Sequence, residues 1–188
     1  MTPLILASRS PRRAELLRRA GFEFIVHDPG IDEIEDAPPH ELCLINAQRK
    51  ARAVADRHAG ATVLAADTVV ALPGRVFGKP ADLSEALEML RALAGCTHEV
   101  LTGVCIVGIP ESRSFVESTH VTFHPDHQID FDAYLARVNP LDKAGAYAAQ
   151  EDNGALIASI HGGIENVIGL PVPRVVETLA NPFGIFPA

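Results

Sequence analysis

Within Ala65-Ala66-Asp67-Thr68-Val69-Val70 a single carboxylate interrupts an apolar, β-branched stretch. An unpaired charge is expensive to bury, so such an aspartate is paired, protonated, on a metal, or capping backbone groups at a strand-end turn. The first three options make Asp67 the leading candidate for catalysis or metal binding. A second grouping lies near the N-terminus. The apolar run Leu4-Ile5-Leu6-Ala7 breaks at Ser8, and Ser10-Pro11 opens a helical pattern with Arg12 and Arg13 in its first turn. Serine is a preferred helix cap, and proline loses nothing at the first helical position. The free N–H groups there carry the positive end of the helix dipole, so the helix start is an anion site. Two guanidiniums beside the Ser8 and Ser10 hydroxyls suit a polyphosphate better than a lone carboxylate. The competing reading is a capped surface helix with solvated arginines.

Other polar residues say less alone. Lys50, in Asn46-Ala47-Gln48-Arg49-Lys50-Ala51, lies on a long helical pattern and reads by itself as a solvated helix lysine. Lys79, in Gly78-Lys79-Pro80, reads as an exposed loop lysine, and the Gly-x-x-x-x-Gly-Lys spacing of a P-loop is absent. In Asp142–Gln150 the small Ala144, Gly145 and Ala146 permit close backbone approach, while Lys143 and Gln150 offer donors to a ligand. The Gln150 amide matches the donor and acceptor pattern of a pyrimidine edge. His120, His124 and His127 read as surface or strand-end residues, since no further ligand completes a closed zinc set.

The elements that must position these groups alternate between strand and helix, which points to an α/β or α+β fold. Strands are expected at 4–8, 22–27, 62–66, 69–72, 76–77, 99–109, 114–123 and 155–160. Helices are expected at 11–20, 40–58, 84–93, 130–137 and 171–179. Pro73-Gly74 turns the chain, 110–113 closes a hairpin, and the tail 181–188 is irregular. The chain is expected to be a single domain over 1–188 with one continuous core.

Composition narrows the class. Apolar residues make up 47% and charged residues 21%, an ordinary globular balance. No apolar run approaches the ~20 residues of a membrane span, and the N-terminus lacks signal-peptide features, so a cytoplasmic location and no membrane partner are expected. Three cysteines, Cys43, Cys96 and Cys105, leave an odd number with no Cys-x-x-Cys clip and read as reduced. The net charge of −8 argues against a nucleic-acid polymer as partner. It leaves room for a small anion, because a local cluster such as Arg9, Arg12, Arg13, Arg18 and Arg19 dominates within a Debye length of ~8–10 Å.

In order, these pieces resemble the Maf family, also called septum formation proteins, from Leu4 to about Pro171. The resemblance rests on Leu6-Ala-Ser-Arg-Ser-Pro-Arg-Arg13, Asn46-Ala-x-x-Lys50-Ala51, Ala66-Asp67-Thr68-Val69-Val70 and Gly78-Lys79-Pro80. It continues through Met89-Leu90-x-x-Leu93-x-Gly95-x-x-His98-x-Val100-x-Thr102-Gly103-Val104, Asp142-Lys143-Ala-Gly-Ala-Tyr147 and Asn166-Val-Ile-Gly-Leu-Pro171. It implies an elongated mixed α/β sheet flanked by helices, with a deep cleft, like that of the inosine triphosphate pyrophosphatases. It further implies cleavage of a nucleoside triphosphate between its α- and β-phosphates. The Asp142–Gln150 segment resembles the subfamily acting on dTTP and UTP rather than the one preferring 7-methyl-GTP.

By that resemblance Asp67 is the proton acceptor, and Arg12, Thr68 and Gln150 tune substrate choice. Arg12, Arg13, Lys50 and Lys79 would neutralise the phosphate tail, with Mg²⁺ or Mn²⁺ held by carboxylates and phosphate oxygens. Asp67 and, in the acidic loop, Glu33 are the candidate metal ligands. Two departures bear on nucleotide preference: His161-Gly-Gly-Ile-Glu-Asn166 lacks the family's Gly-Ser-Tyr, and Ala148-Ala149 replaces a Gly-Ile. A nucleotidyltransferase would need a glycine-rich opening loop, which 7–13 lacks. A purely protein-binding regulator of septum formation leaves Asp67 and the basic cluster unexplained. A homodimer is left open.

Overall fold

The computed structural model describes residues 3–109 and 111–188, so Pro110, in the expected hairpin turn, lies outside the described residues. Among the described residues, seven strands form one mixed sheet in the order β2-β1-β3-β5-β6-β7, with β4 paired to β3. They are β1 (Leu4–Ala7), β2 (Ile25–His27), β3 (Thr62–Leu72), β4 (Arg75–Phe77), β5 (Thr97–Val107), β6 (Ser112–Phe123) and β7 (Ile157–His161). The helices are α1 (Pro11–Arg19), α2 (Pro39–Ala55), α3 (Leu83–Leu93), α4 (Phe131–Arg137), α5 (Ile164–Ile168) and α6 (Val172–Ala180). No helix among the described residues is long and apolar enough to cross a membrane.

The chain divides into two compact units. The first holds the residues up to Asp67 with Thr102–Glu117 and Gly169–Ala188, and the second holds Thr68–Leu101 with Ser118–Ile168. Among the described residues the buried apolar side chains fall into three clusters, two of them in the first unit.

In the first unit β1 pairs in parallel with both β2 and β3. Strand side chains alternate faces, and the two clusters follow that parity. Even-numbered Leu4, Leu6, Leu64, Ala66, Val104 and Ile106 pack with Ala14 and Leu17 of α1 and Val175 and Leu179 of α6. Odd-numbered Ile5, Ala7, Val63, Ala65 and Cys105 pack with Ala47, Ala51 and Val54 of α2. Gly103, on that odd face, has no room for a side chain: a Cβ there would overlap the Cys43 peptide of α2. Alanines and one glycine thus bring α2 close to the strands.

α1 starts as its sequence requires, with the Ser10 hydroxyl accepting from the Arg13 N–H at 3.5 Å and Pro11 in the first turn. It ends with the Gly21 N–H on Arg18 O and the Phe22 N–H on Leu17 O, and Gly21 takes a φ of +86°. This double bond closes the helix and buries Phe22 against Leu17. Phe22 therefore belongs to the helix end, and the strand expected from residue 22 begins only at Ile25.

The second unit packs α3 and α4 on an aromatic core that includes Phe77, Phe123, Phe131, Tyr134 and Tyr147. Asp82 and Asp130 cap those two helices. β4 pairs antiparallel with β3 across the Pro73-Gly74 turn, and β7 pairs antiparallel with β6. His98 lies inside this core, with Nε2 2.9 Å from the Tyr147 hydroxyl and, among the described residues, no hydrogen-bond partner at Nδ1. The short α5 falls where no element was expected. It is held by the Asn166 amide, which donates to Val100 O and to the Thr119 hydroxyl.

Candidate active site

Residues 62–66 and 69–72, expected as two segments, form one eleven-residue strand running straight through Asp67. The strand-end turn is thereby excluded. Parity does the rest: residue 67 follows 63 and 65 onto the face that α2 covers, and its carboxylate is buried. A buried carboxylate needs a partner, and α2 supplies two. Lys50 Nζ donates to Asp67 Oδ1 at 2.6 Å, and Asn46 Nδ2 donates to Oδ2 at 3.4 Å. Residues 46 and 50 are one helical turn apart and so share a face.

Lys50 is therefore not solvated, and its side chain is only 8% exposed. Its ammonium also meets Glu33 Oε1 at 2.5 Å, so one cation joins two carboxylates. Glu33 reaches it from the irregular acidic loop, whose neighbouring residue is tied down by Asn46. The Asn46 Oδ1 accepts from the Ile34 N–H at 2.9 Å, and its Nδ2 donates to Ile34 O at 3.0 Å.

Helix α1 brings in the arginines. Arg13 Nε donates to the Gly169 carbonyl at 2.8 Å, and its Nη1 reaches the buried Ser8 hydroxyl at 3.5 Å. The Ser8 Oγ also accepts from the Ser10 N–H at 3.1 Å. Burial lowers the Arg13 pKa, while the charges of Asp67 and Glu33 raise it and that of Arg12 lowers it. Arg13 thus shares one electrostatic environment with both carboxylates. The Cys43 thiol feels the same centre, pushed up to about 12 first by burial and then by the Asp67 charge, so it is an inert packing residue. All three cysteines are free.

The five arginines near the N-terminus do not make one cluster. Arg18 and Arg19 reach back to Glu15 at 2.9 and 2.8 Å, as residues three and four apart on a helix do. Arg9 faces Asp28. Only Arg12 and Arg13, in the first turn, stay with the helix start.

The first unit thus gathers Ser8, Arg13, Glu33, Lys50 and Asp67, with Ser10 capping the helix that carries Arg12. The remaining sequence candidates lie in the second unit. There Thr68 is half-buried, Lys79 is exposed after β4, and Gln150 is exposed with its amide on Glu151. Lys143 is buried, and its ammonium donates to Asn139 O at 2.6 Å and to Asp142 Oδ1 at 2.7 Å.

Sequence reading gave Asn46 no role beyond its place in a motif, and none to the carbonyl of Gly169. The Asn46 signal was present as a polar residue four positions before Lys50 on a helix face otherwise rich in alanine. The Gly169 contact had no signal, because it is a backbone group far away in the chain.

Two carboxylates thus share one buried lysine beside the arginine-bearing start of α1, on a mixed α/β sheet. The chain belongs to the Maf family: the Maf-like protein model matches residues 3–182. It is 49% identical over 181 residues to the dTTP/UTP pyrophosphatase of Symbiobacterium thermophilum, covering 95% of this chain and 93% of that one. It is 45% identical over 179 residues to the protein of the same name from Akkermansia muciniphila, covering 94% and 95%. A third of that name, from Bacillus mycoides, is 42% identical over 181 residues, covering 95% of each chain.

Proposed function

We propose that this chain hydrolyses dTTP and UTP between the α- and β-phosphates, releasing the nucleoside monophosphate and pyrophosphate. The observation that carries the reading is the buried Asp67–Lys50 pair, joined by the more exposed Glu33 and lying beside Arg13, in a chain 42–49% identical to relatives named for that activity. A water oxygen bonds to the α-phosphorus as the bond from that phosphorus to the bridging oxygen breaks. The electron pair leaves with pyrophosphate. Asp67 accepts the proton of the attacking water and holds the water in line. Arg12, Arg13 and Lys50 balance the phosphate charge, with the Ser8 and Ser10 hydroxyls as further donors. For residues of the second unit the roles rest on family resemblance: Lys79 meets phosphate, while Thr68, Lys143 and Gln150 meet the nucleoside.

The donor set also fits a hard divalent cation. Asp67 and Glu33 aim carboxylate oxygens at one point, where Lys50 now provides the positive charge. No group of three His, Cys, Asp or Glu residues that could hold a metal occurs among the described residues. The protein would therefore give Mg²⁺ or Mn²⁺ two carboxylates and leave the rest to phosphate and water, as suits Mg²⁺. When bound, such an ion supplies charge neutralisation on the phosphate oxygens.

The test is a substrate panel of UTP, dTTP, CTP and 7-methyl-GTP with product identification. UTP and dTTP should give monophosphate and pyrophosphate and rank above CTP, with 7-methyl-GTP last. Gln150→Ala should flatten that ranking, because its amide pairs with the N3–H and one carbonyl of uracil or thymine. Release of diphosphate and inorganic phosphate, or of no product, refutes the reading.

A further inference from the structure

Glu33 sits in a stretch with no helix or strand between His27 and Pro39, yet its carboxylate meets Lys50 at 2.5 Å. Something other than secondary structure must hold that loop in register. The next residue supplies the answer. Both backbone polar groups of Ile34 are bound by one side chain: its N–H donates to Asn46 Oδ1 at 2.9 Å, and its carbonyl accepts from Asn46 Nδ2 at 3.0 Å. A primary amide is the side chain that can satisfy a peptide N–H and a peptide carbonyl together. The same Nδ2 reaches Asp67 Oδ2 at 3.4 Å, while Lys50 takes Oδ1. Each Asp67 oxygen thus has its own donor from α2, and the carboxylate plane is fixed from one helix face. Asn46 is only 2% exposed, so these bonds do not compete with bulk water.

We propose that Asn46 is the positioning residue of this centre, clamping the Glu33 loop and orienting Asp67 so that the two carboxylates converge. The proposal rests on the pyrophosphatase reading for its catalytic consequence, and on the fold alone for the clamp. Asn46 acts through the groups it holds, the Asp67 carboxylate and the Ile34 backbone. Its effect runs through the placement of Glu33 and Asp67, and a misplacement of about 1 Å in such a site costs on the order of 10²-fold in rate.

The experiment compares wild type, Asn46→Ala and Asn46→Asp by amide hydrogen exchange in EDTA and by UTP kinetics at saturating Mg²⁺. Asn46→Asp keeps an acceptor for the Ile34 N–H but cannot donate to Ile34 O or Asp67, and because it sets a carboxylate against Asp67, Asn46→Ser serves where the alanine variant fails to fold. In Asn46→Ala the Ile34 amide should exchange at least tenfold faster than in wild type, while the α2 amides at 47–54 stay protected. In Asn46→Asp that amide should remain the more protected of the two. For both variants kcat should fall about 10- to 100-fold with KM for UTP within about threefold, because the phosphate-binding arginines are untouched. Unchanged exchange at Ile34 in Asn46→Ala, or a kcat within threefold of wild type in a folded variant, overturns the proposal. Absence of pyrophosphate release by wild type overturns the functional reading instead, and the exchange data then decide the clamp by themselves.

Discussion

Replacing Lys50 with methionine keeps the aliphatic stem and removes the cation that meets both carboxylates. The Asp67 and Glu33 oxygens lie 2.6 and 2.5 Å from Lys50 Nζ, so they are at most about 5 Å from each other. Two unit charges at that distance repel by ~0.8 kcal/mol in water and by ~3 kcal/mol at an effective dielectric of 20. The Glu33 side chain is 36% exposed and hangs on a loop, so it swings toward solvent and sheds much of that repulsion. Asp67, at 8% exposure in the middle of β3, has no such escape. Removing one member of a buried pair typically costs ~3–5 kcal/mol because the other charge is stranded. We therefore expect Lys50→Met to destabilise the fold by ~3 kcal/mol at pH 7, or a drop in Tm of about 6–12 °C. In an Asp67→Asn background the same substitution should cost only ~1 kcal/mol, since no charge is then stranded. Urea unfolding of the four proteins of this cycle, in EDTA, measures both values. A cost below about 1 kcal/mol in wild type, or equal costs in the two backgrounds, refutes the account of Lys50 as the counterion of Asp67.

Asp67→Asn should lower kcat for UTP by ~10²–10⁴-fold while the fold persists, and a variant keeping a tenth of wild-type kcat removes Asp67 as the base. Gly103→Ala forces α2 away from β5 at the Cys43 peptide, one turn before Asn46, and should cost ~1–3 kcal/mol with a lowered kcat. Unchanged Tm and kcat would contradict that tight approach. His98 is lowered from 6.5 to about 4 by burial, so it stays neutral in the folded protein where the unfolded chain takes up a proton. The unfolded state then binds more protons between those two values, and stability falls as pH drops through that window. The loss from this group between pH 7 and 5 is ~2 kcal/mol. His98→Asn should remove it, as the difference in urea midpoints at the two pH values will show.

Local rules carried much of this molecule. Ser10-Pro11 and Gly21 set both ends of α1, because a capping hydroxyl, a fixed proline φ and a glycine at positive φ act within a few residues. Asp82 and Asp130 did the same for the starts of α3 and α4, and Gly74 for the turn into β4. The apolar run around Asp67 announced a costly carboxylate, and the order of short motifs led to the family. Local sequence failed where distant groups decide. Asp67 looked compatible with a turn because a lone charge argues against a strand, and only α2, seventeen residues earlier, makes the strand tolerable. Phe22 scored as strand by its neighbours but is drawn into the end of α1 by Leu17.

The sequence by itself determined which residues could do chemistry, since their types and the penalty for burying them are properties of the chain. It also determined the alternation that puts Val63, Ala65 and Asp67 on one face of a strand. Only the tertiary structure decided that Lys50 is buried rather than solvated, that Arg13 meets the Gly169 carbonyl, and that Asn46 holds Ile34. Those outcomes depend on which helix covers which face and on how closely Ala47, Ala51 and Gly103 let it approach. Pairing between residues far apart in the chain has no local signature, because its free energy exists only once both partners have left water together.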